Sequence, residues 1–415
     1  MTTGPAVRRL SAWDAELLRG LAAEYDTPLY VLDPERVREN AARLRAAFDA
    51  EEISYAVKAN TTRPVLATLR ATGVGAECAS AGEVERALAA GFAGEDVRYT
   101  AVNPPERDLN YVTDVAADHD LVVTVGAADA LDRLDERDFD GRLCIRANPG
   151  VGAGHHEKVA TGAAPKFGVP MGRVPDLAAE AVDRGFQLVG LHAHAGSGIS
   201  GEDLEAHREL VARMGELARS VIADVSSLGF VNVGGGIGVP YRADEDPLDL
   251  DAVATATRDA FGDVDARLGI EPGRYFVADA GVLLTQVNTV KPTPETTVAG
   301  VDAGMTTLVR PAMYGSYHAV RSLAGDADER ETVPTTVAGP ICETADVLCE
   351  DRPLSDPERG DLLAVGNAGA YGYEMSSNYN SRPRPAVVAI EGEGGRLAVR
   401  REAVADITGL ETWSE

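Results

Sequence analysis

The chain has 415 residues, of which 45% are hydrophobic, so its length fits two domains or one large barrel with an appended domain. The formal net charge of −27 excludes strong attraction to nucleic acid or to anionic membranes. No run of about 18 apolar residues predicts a membrane-spanning helix, and the start of the chain lacks a secretory signal pattern. We therefore expect a cytoplasmic protein.

Acidic residues are abundant and lysine is rare. The sequence has 66 Asp and Glu but only four lysines. Such a composition is typical of proteins that work in very high salt, where screening removes the repulsion between like charges; the alternative is an ordinary acidic surface. The four cysteines are scattered and form no C-x-x-C pair, so we expect reduced thiols and no metal site.

The first part of the chain alternates between short apolar runs and amphipathic segments. Apolar spacing predicts a helix over Asp14–Tyr25 and a strand over Thr27–Leu32. The alternation that follows indicates parallel β/α units, so we predict an α/β fold with a (β/α)8 TIM barrel over residues 34–282. The predicted barrel strands are Ile53–Val57, Leu121–Val125, Leu143–Arg146, Leu188–Ala193 and Phe230–Val233, and the predicted helices are Pro34–Phe48, Ala81–Ala90, Val174–Arg184 and Gly201–Ser220.

The pattern changes near Val282, where strand-like pieces continue without long helices. This change predicts a mostly antiparallel β domain over residues 283–415, to which we also assign residues 1–33. Its predicted strands are Thr296–Val301, Thr332–Ala338, Asp361–Val365, Pro385–Ile390 and Arg396–Val399.

Lys58 ends the apolar run that begins at Ile53. A lysine can lose its proton when desolvated, whereas arginine stays charged, so Lys58 is a candidate Schiff-base residue. The alternative is a strand-end lysine that extends its amine into water.

A glycine cluster and two histidines follow other predicted strands. The backbone N–H groups of Gly234–Gly236 could wrap a phosphate, although a plain turn is the alternative. His192 and His194 face the same way on a strand. They could be structural, or an imidazole could stack on a flat cofactor ring while Ser197 donates its hydroxyl to a phosphate. No third metal ligand is evident nearby.

Glu271-Pro272-Gly273-Arg274 places an anion and a cation around a rigid bend. The alternatives are a surface ion pair or two separate functions. A carboxylate at a pyridine nitrogen keeps that nitrogen protonated, which makes the ring a strong electron sink. The arginine could bind an anionic group through its fork of donors.

The second domain contains further polar motifs. Cys342 follows the turn Gly339-Pro340-Ile341 and precedes polar residues, an unusual context for a core cysteine. Its thiol could donate a proton. The other motifs are Arg310-Pro311-Ala312-Met313-Tyr314, Gly369-Ala370-Tyr371-Gly372 and Asn380-Ser381-Arg382-Pro383-Arg384-Pro385.

Taken in order, these motifs resemble the pyridoxal-phosphate-dependent decarboxylases of the alanine-racemase fold. The resemblance runs from Thr27–Val31 to Arg382–Pro385, and Tyr55–Asn60 is similar to the cofactor-lysine motif of the family. The features that resemble the diaminopimelate branch are Asn148-Pro149-Gly150, His155-His156, Thr161-Gly162 and Lys166-Phe167-Gly168.

The resemblance implies pyridoxal 5'-phosphate (PLP) as cofactor. Lys58 would hold it covalently, His194 would stack on its ring, and Glu271 would pair with the pyridinium nitrogen. Alanine racemases place an arginine at the position of Glu271, which argues against racemisation. The other implied cofactor contacts are Ser197, Gly235, Gly236, Arg274 and Tyr371.

The resemblance also implies decarboxylation of meso-2,6-diaminopimelate to L-lysine and CO2. Cys342 would return a proton to the α-carbon, and Glu343 would bind the distal ammonium. Because this Cys-Glu segment reaches the partner subunit's site in the family, a homodimer with composite active sites is implied. The implied substrate contacts are Arg274, Arg310, Tyr314, Glu343 and Tyr371.

The sequence departs from the family pattern at four places. Glu77 replaces the usual Asp, and Ala101–Pro105 replaces a Gly-Asn-x-Lys segment. Ala193 stands in the middle of the His-x-His motif, where Cys or another small residue is common, and Thr344-Ala345 replaces the more usual Ser-Gly beside the substrate.

Three alternatives remain open at the level of sequence. The first is a decarboxylase of the same fold that acts on ornithine, arginine or carboxynorspermidine; Cys-Glu rather than Cys-Asp, with two arginines, favours diaminopimelate. The second is a non-catalytic PLP-binding barrel, which would lack the second domain. The third is a PLP-free barrel that binds another phosphate.

Overall fold

The structure is a computed structural model that describes residues 5–151, 153–154, 165–197 and 204–412. His155-His156 and Thr161-Gly162 lie outside the described residues. Contacts divide the described chain into two compact units. The first contains residues 38–239 and 248–276, and the second contains residues 5–37, 240–247 and 277–412.

The strands are numbered in chain order. They are β1 (Leu29–Leu32), β2 (Glu52–Ala56), β3 (Gly75–Cys78), β4 (Val97–Tyr99), β5 (Val122–Val125), β6 (Arg142–Asn148), β7 (Ala153–Gly154), β8 (Val169–Pro170), β9 (Gln187–His192), β10 (Gly196–Ser197), β11 (Phe230–Asn232), β12 (Arg267–Ile270), β13 (Gly281–Pro292), β14 (Thr297–Val301), β15 (Val320–Ser322), β16 (Thr332–Ala338), β17 (Val347–Ser355), β18 (Leu362–Val365), β19 (Ala386–Glu391) and β20 (Gly394–Val399).

The α-helices are numbered in the same way. They are α1 (Ala15–Tyr25), α2 (Pro34–Ala47), α3 (Arg63–Ala71), α4 (Ala81–Ala89), α5 (Glu106–His119), α6 (Asp129–Asp135), α7 (Val174–Asp183), α8 (Leu204–Asp224), α9 (Leu250–Phe261), α10 (Arg274–Val277), α11 (Arg310–Tyr314) and α12 (Val404–Thr408). Among the described residues, no helix is both long and apolar enough to cross a membrane.

The first unit contains a closed parallel barrel. Its strands follow the order β5-β4-β3-β2-β12-β11-β9-β6, and pairing of β5 with β6 closes the ring. All of these pairings are parallel. The predicted (β/α)8 barrel is therefore confirmed. Such a barrel brings the carboxyl ends of its strands to one face, where the functional residues of this fold gather.

Local sequence explains how the barrel helices begin. The Ser80 hydroxyl accepts a hydrogen bond from Glu83 N at the start of α4, and the Asp249 carboxylate accepts one from Ala252 N at the start of α9. These N-caps satisfy backbone donors that have no partner within the helix. Helix α8 buries Leu210, Val211 and Met214, among other residues, along one face.

The second unit contains a mostly antiparallel sheet in the order β17-β16-β14-β13-β1-β19-β20, with β18 paired to β13 and β15. Two of its pairings, β1 with β19 and β14 with β16, are parallel. Strand β1 lies between β13 and β19, which places an N-terminal strand in the C-terminal sheet. A core of Trp13, Leu18, Leu29, Val282 and other buried residues holds α1 on this sheet.

Three barrel strands were absent from the sequence prediction: β3, β4 and β12. They are short and contain glycine or charged residues, so their apolar runs were too brief to detect. Strand β17 was also missed, because Glu350, Asp351 and Arg352 interrupt it. The predicted division into a barrel over residues 34–282 and a β domain over residues 1–33 and 283–415 stays a prediction.

Candidate active site

The carboxyl ends of the barrel strands carry a cluster of charged side chains. Lys58 follows β2, Glu77 lies in β3, and Glu271 follows β12. Pairing of Ala56 with Glu77 sets β3 beside the strand that leads to Lys58. In barrels of this kind, reactive groups occupy this face because loops from many strands converge there.

Lys58 lies in a single 3-10 turn, Val57–Ala59, that extends β2. The two flanking residues are buried, whereas the Lys58 side chain keeps 41% of its exposure. Its Nζ donates a hydrogen bond to Glu77 Oε2 over 2.6 Å. The amine is thus held by a buried carboxylate at the barrel mouth, which disfavours the alternative of a lysine extended into water.

Glu77 is a functional candidate whose role the sequence left open. Only 3% of its side chain is exposed. Burial raises the pKa of the Glu77 carboxyl and the negative charge of Glu271 adds to this effect, while the Lys58 ammonium offsets part of it. Because Glu77 Oε2 accepts the hydrogen bond from Lys58 Nζ, glutamate at this position contacts the amine directly.

Glu271 forms a buried pair with His192. His192 Nε2 lies 2.8 Å from Glu271 Oε1, and the two side chains are 4% and 5% exposed. Burial raises the carboxyl pKa, but the charges of His192 and Lys58 and the hydrogen bond outweigh it and bring the pKa of Glu271 to about 2. No partner for His192 could be predicted from the sequence, because Glu271 lies 79 positions away.

The second oxygen of Glu271 indicates what the site could bind. Oε2 is buried and has no hydrogen-bond partner among the described residues. A buried, unsatisfied carboxylate oxygen costs about 1–3 kcal/mol or more, so a ligand donor is expected to satisfy it. A protonated ring nitrogen has the right charge and hydrogen for this oxygen. The donor set therefore fits a pyridine-type cofactor.

His194 is packed against the glycine cluster. Gly235 N donates to His194 Nδ1 over 3.2 Å, so the remaining proton of the neutral ring lies on Nε2. Burial lowers the pKa of His194 to about 3, which keeps the imidazole neutral. A Cβ at Gly234 would lie 2.5 Å from His194 Nδ1, and one at Gly235 only 2.2 Å from Glu271 O, so both approaches require glycine. Gly236, with φ of 88°, continues the turn.

Arg274 and Ser197 form a polar pair suited to an anion. Arg274 begins α10 and is 6% exposed. Its Nη2 donates to Ser197 Oγ over 3.1 Å. A buried guanidinium beside a hydroxyl and a glycine turn is a typical setting for a phosphate.

Arg146 is a further candidate that the sequence reasoning missed. It lies in β6 with 9% exposure, and its guanidinium stacks over the Phe167 ring at 5.2 Å. Burial lowers its pKa, while the charges of Glu271 and Glu77 favour the cation. The available signal was an arginine that directly follows the apolar residues Leu143, Cys144 and Ile145.

The second unit holds the other predicted residues. Arg310 is 2% exposed, and its Nη1 donates to Tyr241 Oη over 2.8 Å and lies 3.3 Å from His318 Nε2. Tyr314 ends the same short helix, α11. Tyr371 adopts a φ of 56°, an uncommon value outside glycine that often marks a functional loop.

Cys342 and Glu343 lie in an exposed loop of the second unit. Tyr379 Oη donates to Glu343 Oε1 over 2.5 Å, and Asn380 Nδ2 donates to Cys342 Sγ over 3.6 Å. The structure thus brings Lys58, His194, Ser197, Gly235 and Glu271 together with Arg274 in the first unit. It places Arg310, Tyr314, Cys342, Glu343 and Tyr371 in the second.

Comparison with known proteins agrees with this geometry. The family model described as "Pyridoxal-dependent decarboxylase, pyridoxal binding domain" matches residues 35–278. The fold and site thus define a PLP-dependent decarboxylase, and the predicted cofactor is confirmed.

Individual relatives show which PLP-dependent decarboxylases this chain is similar to. Diaminopimelate decarboxylase of Methanothermobacter thermautotrophicus is 43% identical over 93% of this chain and 92% of its own length, and that of Escherichia coli K12 is 38% identical over 96% of each. The crystal structure of diaminopimelate decarboxylase from Helicobacter pylori complexed with L-lysine has a TM-score of 0.88 and 32% identity, covering 95% of this chain and 98% of that one. This chain belongs to the diaminopimelate decarboxylase family.

Proposed function

We propose that this protein decarboxylates meso-2,6-diaminopimelate to L-lysine and CO2, the last step of lysine biosynthesis. The observation that carries the proposal is the buried, ionised Glu271 in the same charged cluster as Lys58, because one of its oxygens has no hydrogen-bond partner in the described part of the chain. The Helicobacter pylori relative, whose structure is complexed with L-lysine, supports the product.

Each site residue would have a separate role at the cofactor. PLP supplies an electron sink that takes up the electron pair released when CO2 leaves. Lys58 would hold the cofactor through its amine, and Glu271 would keep the ring nitrogen protonated. His194 would stack on the ring, and Gly235, Gly236, Ser197, Arg274 and Tyr371 would bind the phosphate or line its pocket.

The remaining residues would select and protonate the substrate. Arg274 and Arg310 would bind the distal carboxylate, and Glu343 the distal ammonium. Tyr314 and Tyr371 would line the same pocket. Cys342 would return a proton to the α-carbon after CO2 has left. Truncation of Glu343 would then weaken binding of diaminopimelate more than that of an amine without a distal amino-acid group.

We also propose a homodimer in which Cys342 and Glu343 of one copy complete the site of the other. The exposure of this reactive pair on a single chain supports the proposal. The acidic, lysine-poor composition supports a cytoplasmic protein that functions in high salt.

Product identification tests the function directly. The purified protein is held in molar salt with PLP and offered diaminopimelate, ornithine, arginine or carboxynorspermidine, while CO2 and the product are followed by mass spectrometry. Lysine formed from diaminopimelate alone is the expected result. Release of CO2 from another amine would instead keep the chemistry and change the substrate, and it would direct attention to Thr344-Ala345.

A further inference from the structure

The loop that carries Cys342 and Glu343 makes two side-chain hydrogen bonds with a second segment of the same unit. This segment, residues 378–381, is here called the 378–381 turn. Tyr379 Oη donates to Glu343 Oε1 over 2.5 Å, and the next residue, Asn380, donates from Nδ2 to Cys342 Sγ over 3.6 Å. Two adjacent donors thus contact two adjacent reactive side chains, one each.

The 378–381 turn is strained and anchored. Asn380 has φ of 57° and Ser381 has φ of 52°, so two successive residues other than glycine occupy the left-handed region. Such conformations are unfavourable for residues other than glycine and persist only where the surrounding structure fixes them. Here Asn378 Nδ2 donates to Glu402 Oε2 over 2.6 Å, and Arg384 N donates to the same oxygen over 2.8 Å.

Asp346 fixes the base of the loop that carries Cys342 and Glu343. Asp346 is 2% exposed and accepts hydrogen bonds from Ile341 N at 2.6 Å and from Met305 N at 2.5 Å. Residues 342–345 are exposed. Asp346 N also donates to the backbone carbonyl of Glu343, whereas the 378–381 turn contacts the side chains of Cys342 and Glu343, whose positions affect the chemistry.

We propose that Tyr379 and Asn380 are positioning residues for the decarboxylation: Tyr379 orients the Glu343 carboxylate toward the distal ammonium of the substrate, and Asn380 holds the Cys342 sulfur. This inference rests on the proposed function. The hydrogen bond to Glu343 raises the pKa of Tyr379, which favours the protonated phenol that donates in this contact.

The proton transfer explains why a donor at the sulfur matters. When the Cys342 S–H bond breaks, the proton joins the electron pair that remained after CO2 left, and this forms the new C–H bond at the α-carbon. The electron pair of the S–H bond stays on sulfur, which becomes a thiolate. Water returns a proton to the sulfur before the next turnover. An N–H donor binds a charged acceptor more strongly than a neutral one, so Asn380 would stabilise the thiolate as it forms.

The two contacts predict different kinetic effects. Tyr379→Phe should raise KM for diaminopimelate about tenfold with kcat held within twofold, because a carboxylate loses an orienting hydrogen bond. Asn380→Asp should lower kcat about tenfold, with KM held within twofold and a larger solvent deuterium effect on kcat. PLP titrations, followed by absorbance, should be unchanged for both variants.

Matched controls separate positioning from folding. Tyr25→Phe removes a phenol hydrogen bond, Tyr25 Oη to Gly395 O at 3.0 Å, elsewhere in the second unit. Asn110→Asp adds the same charge in helix α5. Asn380→Gly removes the amide donor while accepting the positive φ, so its kcat should fall without a lower melting temperature.

Each outcome has a separate meaning. An active wild type with unchanged variants overturns the inference alone, and so does a combined fall in kcat and melting temperature with no split between kcat and KM. A wild type that forms no lysine from diaminopimelate overturns the proposed function and this inference with it.

Discussion

At the scale of single residues, the barrel mouth stabilises charges that would be costly elsewhere. Lys58 and Glu77 form an ion pair, His192 and Glu271 form a buried hydrogen-bonded pair, and Arg146 interacts electrostatically with both glutamates. Buried ion pairs are weak evidence for stability, because desolvation offsets their attraction. Their concentration at one end of a barrel is better explained by function.

Replacement of Lys58 tests the covalent link to the cofactor. Lys58→Ala should abolish PLP that remains attached after borohydride reduction, because the amine that would bond it is gone. Peptide mass spectrometry after reduction provides the measurement. Lys291→Ala removes an exposed lysine in β13, and this control should retain reduced PLP as the wild type does. PLP still attached to the Lys58→Ala variant after reduction would contradict the role of Lys58 as the residue that bonds the cofactor.

Replacement of Glu271 tests the interpretation of its unsatisfied oxygen. Glu271→Gln keeps the shape but loses the anion, so the ring nitrogen would lose the partner that holds its proton. We expect a fall in kcat of about a hundredfold or more and a changed absorption spectrum of the bound cofactor. An unaltered spectrum with full activity would remove Glu271 from this role.

At the scale of elements, helices α8 and α9 meet through a polar contact inside an apolar interface. His207 Nε2 lies 2.8 Å from Thr257 Oγ1, and His207 is 5% exposed. Burial lowers the pKa of His207 from 6.5 to about 4. The helix pair therefore requires a neutral imidazole, and its stability should depend on pH.

The sign of that dependence follows from the lowered pKa. Below pH 6.5 the unfolded chain takes up the proton first, so the His207 contribution is present above about pH 6.5 and is lost as pH falls toward 4. Between pH 7 and pH 5 this loss should lower the free energy of unfolding by about 2 kcal/mol. Comparison of wild type with His207→Gln by chemical unfolding at each pH measures this loss. Parallel pH profiles would refute the prediction.

At the scale of the whole molecule, shared active sites can be tested by mixing two inactive variants. Lys58→Ala and Cys342→Ala are each expected to be nearly inactive as pure proteins. After co-refolding in equal amounts, half of the dimers would be mixed, and each mixed dimer would regain one complete site, so about a quarter of wild-type activity should return. No recovery, despite mixed dimers seen by native mass spectrometry, would indicate a site formed within one chain.

The net charge of −27 predicts a strong response to salt. Self-repulsion at low ionic strength should destabilise the fold, and the screening length falls from about 10 Å at 0.1 M to about 3 Å at 1 M salt. The melting temperature should therefore rise between 0.1 M and 2 M KCl. Thermal unfolding followed by circular dichroism at both concentrations provides the measurement. An unchanged melting temperature would support the alternative of an ordinary acidic surface.

The sequence by itself determined the barrel, the second β domain and the main reactive residue types. Local signals were enough for these features, since Lys58 ends an apolar run and Glu271 precedes a rigid bend. Short strands such as β4 lacked such signals, because three residues cannot establish a period.

Only the tertiary structure decided which groups meet. The pairs His192–Glu271 and Lys58–Glu77 join separate strands of the barrel, and the contact of Asn380 with Cys342 joins two loops. Such contacts arise because parallel strands bring distant residues to one edge and because anchored turns hold strained backbone in place. Burial, which sets the charge states of Glu271 and His194, likewise depends on the complete fold.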